Sequence, residues 1–149
     1  MTGASPSLSK VNAINWLRWL LLVPSAFIGW YVGLIVSLAI YRAHKAICPA
    51  HYLVSGMCQA PWTPLVQNSA IIIGSILAGA LVVLLPAFLA PSHRKRVAWI
   101  AFGLGFLYSM YFLVLIPNIW QAVLSSVIGG GIVLWRFLRT ESVASKGVM

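Results

Sequence analysis

Residues 68–90 read NSAIIIGSILAGALVVLLPAFLA, twenty-three positions with no charged side chain. At ~1.5 Å per residue a helix of that length reaches roughly 35 Å, enough to cross a ~30 Å hydrocarbon core. The rest of the chain has the same character. It is 61% hydrophobic and 7% charged over 149 residues, where soluble domains carry about 25% charged residues. So little polar surface cannot cover a soluble fold, so lipid is the solvent for most of this chain.

Three further apolar runs flank this one. Residues 14–40, INWLRWLLLVPSAFIGWYVGLIVSLAI, would reach roughly 40 Å as a helix, more than the hydrocarbon core needs. That run tilts, kinks at Pro24 or begins among the headgroups. Arg18 between Trp16 and Trp19 favours the headgroups, since Trp marks the interface and Arg snorkels to it. The run is too long for a secretory signal and lacks a cleavage motif behind it, so it reads as a retained signal anchor. Residues 97–116 and 119–135 complete the set. Pro117 and Asn118 between them are a turn signal, which predicts a tight helical hairpin rather than one kinked helix. The expected fold is all-α: one four-helix transmembrane domain over residues 1–149, with an outer loop at 41–67.

Charge sets the expected direction. Lys10, Arg18, Arg94, Lys95, Arg96, Arg136, Arg139 and Lys146 fall on one side of such a chain, and only Arg42 and Lys45 on the other. The positive-inside rule then puts both termini in the cytoplasm, and the short tails and compact loops suggest a bacterial inner membrane. Trp16, Trp19, Trp99 and Trp135 form an expected inner belt, and Tyr41, Trp62 and Trp120 an outer one. Trp30 and Tyr31 lie too deep for a belt and read as packing residues, with Tyr31 in need of a hydrogen-bond partner.

Composition also limits function. The net charge of +9 would suggest nucleic acid in a soluble protein. Here no sizeable soluble domain remains to bind it, and the cations sit between apolar runs. The span interiors hold no Asp, Glu, Lys or His, which removes the usual relays of proton-coupled transport. No catalytic constellation stands out, and no cofactor is expected. A passive pore lined by hydroxyls, amides and carbonyls stays open as an alternative.

Small residues recur four apart: Gly29 and Gly33, Gly74 and Ala78, Ser75 and Gly79, Ser125 and Gly129, Ser126 and Gly130. Such steps let helix backbones approach closely in lipid, either within one bundle or against another membrane protein. The run Gly129–Gly131 predicts a close crossing or a flexible point. Gln67, Asn68, Asn118 and Gln121 gather at the expected outer face. The basic stretches SHRKR (92–96) and RFLR (136–139) read as topology signals in contact with anionic headgroups, with a specific phospholipid or an acidic partner as the sharper alternative. The leader and the tail TESVASKGVM are short and polar, and are expected to be poorly ordered.

Both cysteines lie in CPAHYLVSGMC, residues 48–58. A turn at Ser55-Gly56 would bring Cys48 and Cys58 to bridging distance. Outside the cytoplasm such a disulfide persists, and it would stabilise the loop by roughly 3 kcal/mol on the chain-entropy model. A reactive thiol pair is the first alternative, helped by His44, Lys45 and His51 nearby, but the spacing is not Cys-x-x-Cys. A metal site of His44, Cys48, His51 and Cys58 is the second. The favoured expectation is a small non-enzymatic membrane protein that assembles with or stabilises a larger complex. A thiol or metal protein and a pore-forming or lipid-binding oligomer are the alternatives.

Overall fold

The computed structural model describes residues 16–90 and 93–146. The leader with Lys10, the loop residue Ser92 and the last three residues lie outside them. Four long helices dominate: α1 (Leu22–Ala46), α2 (Thr63–Leu89), α3 (Arg94–Leu115) and α4 (Trp120–Lys146). Each contains a stretch long and apolar enough to cross a membrane, that of α4 being Trp120–Arg139. A hairpin of two short strands, β1 (Leu53–Val54) and β2 (Met57–Cys58), joins α1 to α2.

The helix ends differ from the apolar runs. The first run was expected at 14–40, yet α1 proper begins at Leu22 and continues to Ala46. Residues 16–20 are helical as well, with a turn at Leu21. Pro24 explains that break, because it has no N–H to give the carbonyl of Leu20. At the other end the backbone ladder continues through Tyr41–Ala46, where Ala, Arg and Lys favour helix and His44 and Lys45 in the last turn suit its dipole. The loop expected at 41–67 therefore shrinks to residues 47–62. Pro64 lies in the first turn of α2, where its fixed φ is preorganised for helix. The polar tail, expected to be unordered, is helical to Lys146. Nothing in TESVASK breaks a helix.

The hub is α2. It packs against α1 on one side and α4 on the other, and α3 leans on α2 and α4, whereas α1 makes no extended contact with α3 or α4. The α1–α2 seam is a row of small residues. Ser25, Gly29 and Gly33 are buried on α1, and Ala70, Gly74 and Ala78 on α2. A methyl group added at Gly29 would lie 2.8 Å from the Leu81 carbonyl carbon, so the two backbones are in contact there. One added at Gly74 would overlap the Ser37 hydroxyl. That hydroxyl donates to the Ala70 carbonyl across the seam at 2.9 Å.

The α2–α4 seam works the same way. A methyl at Gly79 would strike the Ser126 carbonyl, and one at Gly129 the Ile76 carbonyl. Gly130 faces Gly79 and the ring of Phe102, but Gly131 meets nothing. Two of the three consecutive glycines thus serve one crossing, and the helix runs on through all three. Further along, Val83, Ala87, Ala98 and Leu134 form the main apolar cluster, drawn from α2, α3 and α4. The only buried residues of α3, Val97 and Ala98, are at this end.

Substitutions along the seams should separate into two classes. Gly33→Val and Gly79→Val force backbone atoms apart and should destabilise the fold by about 1–3 kcal/mol each. Gly103→Ala and Gly131→Ala, with nothing within 4 Å of the new methyl, should be neutral or stabilising by up to about 1 kcal/mol. Denaturant titration in micelles, followed by circular dichroism, checks this; equal losses in both classes would contradict the seam assignment.

Candidate functional site

Two ends of the bundle carry nearly all the polar chemistry. At the hairpin end, β1 and β2 pair antiparallel with Leu53 opposite Cys58 and Val54 opposite Met57. The intervening Ser55 and Gly56 have φ of 51° and 77°. Positive φ at both positions is the type I′ geometry that a two-residue hairpin needs, and Gly supplies it without strain at the second. Lys45 reaches over this turn, its Nζ lying 4.0 Å from where a side chain on Gly56 would begin.

The hairpin is closed by a disulfide between Cys48 and Cys58, with Cα atoms 6.1 Å apart. Both sulfurs are therefore bonded to each other, and neither is a thiolate. His44 and His51 do not converge on them. His44 is buried, and its Nε2 shares a hydrogen bond of 3.2 Å with Thr63 Oγ1, the tautomer deciding which group donates. This bond ties the last turn of α1 to the first turn of α2. His51 instead stacks on Tyr52 at 4.1 Å, and Tyr52 meets Trp62 edge-on at 5.5 Å. Among the described residues, no three His, Cys, Asp or Glu side chains group as metal ligands. Gln67, Asn68 and Asn118 are exposed and Gln121 half-exposed. By the alternation of the helices they share this end, but no hydrogen bond joins them to one another.

The opposite end is basic. Arg94, Lys95 and Arg96 occupy the first turn of α3, which has neither an acidic residue nor a side-chain cap. Cations at a helix N-terminus oppose its dipole, so helix stability does not explain their position. His93 precedes them in the left-handed region at φ 55°. Ala98 and Leu134 share the apolar cluster, so the first turn of α3 lies at the same end as Arg136 and Arg139 of α4. The Arg139 guanidinium sits 4.0 Å above the Trp135 ring. A groove of about 390 Å³ opens beside Arg136, walled by Leu84, Ile132, Val133 and Phe137.

Four residues take roles that the sequence reading did not foresee. Trp30 and Tyr31 were read as packing residues, yet they are 43% and 57% exposed, with Tyr31 opposite the Gly29–Gly33 row by helical spacing and Trp30 at its flank. Depth in a membrane span does not imply burial, because lipid is as apolar as a core. Conversely, Ser25 and Ser37 extend the Gly29–Gly33 row to four small residues spaced by four. That spacing was readable, since 25, 29, 33 and 37 recur on one helical face.

The His44–Thr63 bond has a measurable signature. Thr63→Val leaves a buried imidazole nitrogen unpaired and should destabilise the α1–α2 pair by about 1–3 kcal/mol. The double variant His44→Leu with Thr63→Val removes both polar partners and should recover much of that loss. Additive losses in titrations of the two single variants and the double variant would show that the bond contributes nothing of its own.

No family model matches the chain, and no curated protein or solved structure matches it.

Proposed function

We propose that this chain is a non-enzymatic, multi-pass subunit that assembles with and stabilises a larger complex in a bacterial inner membrane, with both termini in the cytoplasm. The observation that carries the reading is Tyr31. It stands at the midpoint of the helical stretch 16–46. Its ring is 57% exposed and packs edge-on against Trp30 at 5.3 Å. Its hydroxyl has no hydrogen-bond partner among the described residues. At mid-span the phenol cannot reach either interface, and lipid tails offer no acceptor. An unpaired hydroxyl in an apolar medium costs about 1–3 kcal/mol on protein mutational scales. A neighbouring membrane helix would supply the acceptor.

The open arrangement supports the same reading. With α1 held mainly along α2, docking surfaces for other helices fit the arrangement better than a pore within one copy. The far side of α1 and the outer face of α3, with Leu104, Leu107, Tyr108 and Tyr111 exposed, offer broad surfaces to other helices. The stapled hairpin holds the α1–α2 connection in one shape whatever joins those surfaces.

A photo-reactive phenylalanine placed at residue 31 tests the partner role in intact membranes. The expected product is a covalent adduct with another membrane protein, and Tyr31→Phe should lower co-purification of that protein about fivefold or more, for a hydrogen bond of about 1 kcal/mol. Adducts with lipid alone, together with a lone monomer in mild detergent, would sink the proposal. For the direction, a fluorescent reporter fused after Met149 should fold and fluoresce inside the cell, while a phosphatase that needs the periplasm should stay inactive there. The reverse pattern would refute cytoplasmic termini.

A further inference from the structure

We infer that the Cys48–Cys58 hairpin lies in the lipid headgroup layer at its end of the bundle and buries Ile47, Val54 and Met57 at the boundary with the acyl chains. Apolar exposure along the spans needs no special occupant, since lipid covers it. The loop at 47–62 lies outside the spans, so its exposure does need one. Ile47 is 80% exposed, Met57 57% and Val54 48%. The loop has no Asp, Glu, Lys or Arg, whereas a loop bathed in water is ordinarily polar.

The strand register sorts these side chains by face. Residues paired across a hairpin point to the same side, and successive residues alternate. Leu53 and Cys58 therefore share one face, and Cys58 is buried, so that face turns inward. Val54 and Met57 share the other face, which turns outward.

What meets the outward face follows from where the hairpin is held. It joins the ends of two membrane spans, and the His44–Thr63 bond ties those ends together. Its turn does not stand off into water. The Lys45 Nζ lies 4.0 Å from the Cβ position of Gly56, so the tip is within one lysine side chain of the last turn of α1. Tyr52, just before β1, meets Trp62 edge-on, and Trp is a residue type that settles at the membrane interface. Leu65 in the first turn of α2 is exposed as well, so apolar surface continues from the loop onto the span. Charge agrees: Arg42 and Lys45 stand ready for lipid phosphates, and the loop has no acid to repel them. The inference needs the membrane spans but neither the proposed complex nor the direction of the termini, so it can fail separately from both.

Quenching of a bimane label on the full chain in phosphatidylglycerol and phosphatidylcholine vesicles tests it. Both native cysteines are held in the disulfide, so without reductant the label attaches only to an added thiol. Labels at Ile47→Cys and Met57→Cys should lose most of their emission to lipid brominated high on the acyl chain and be protected from iodide in the water. Adding Val54→Asp to the Met57→Cys chain should raise the iodide-accessible fraction about tenfold or more, as expected from losing one buried valine. Val54→Leu keeps the face apolar and should leave both readings unchanged. Quenching by iodide but not by brominated lipid would overturn the inference in favour of a hairpin in water. Protection from both quenchers would overturn it in favour of a protein cover, whether a second copy or another chain. No response to Val54→Asp would overturn it too.

Discussion

Close backbone approach along α2 is the interaction on which the rest of this structure depends. In lipid there is no gain from hiding apolar surface, because the tails are as apolar as leucine. Helices join where their backbones can touch and where a hydroxyl can cross the gap. The α2 helix carries two such faces, one through Gly74 and one through Gly79, about 140° apart at ~100° per residue. The first receives Gly33 and Ser37 of α1, the second Ser126 and Gly129 of α4. Both neighbours are thus set on α2 independently, and nothing requires them to meet.

The ends of the molecule follow from that arrangement. Where the α1–α2 seam ends, the helices diverge into a loop of sixteen residues, 47–62. Such a loop would be loose without local fastening. It receives two fastenings of different kinds: the buried His44–Thr63 bond at its base and the Cys48–Cys58 disulfide around its turn. At the other end Val83 and Leu134 pack with the fully buried Ala87 and Ala98, and Phe102, Val133, Phe137 and Leu138 close around them. That cluster joins α2, α3 and α4 where α1 takes no part.

The number and place of the spans were legible because hydropathy is a property of whole windows, and single residues hardly alter it. Helix ends were not, because backbone hydrogen bonding and proline decide them. The first span moved from 14–40 to Leu22–Ala46 for that reason. The disulfide was legible from two cysteines around a Ser-Gly turn, and the small steps from their spacing. Which face each step meets was not, since Gly79 is equally suited to α1 and α4 until the fold assigns it. The basic stretches were legible as charge, but the groove beside Arg136 was not, because its walls come from residues some fifty positions apart. His44 looked like a metal ligand because the sequence showed its neighbours in the loop and hid Thr63, nineteen residues on. Trp30 and Tyr31 were misplaced because burial and membrane depth are separate quantities.

Exposed apolar surface on a membrane protein says little about function, because lipid covers it at no cost. Unmatched polar atoms say more. A hydroxyl at mid-span needs something that hydrocarbon tails cannot give. At Tyr31 the missing element is a neutral hydrogen-bond acceptor at a depth where only protein carries one, which points to another helix. Depth therefore decides which exposed face assigns an occupant. It also explains why the faces of α3, apolar and nearly as exposed as that of α1, support no separate assignment: Tyr108 and Tyr111 lie towards the end of the span, where water and headgroups can satisfy their hydroxyls.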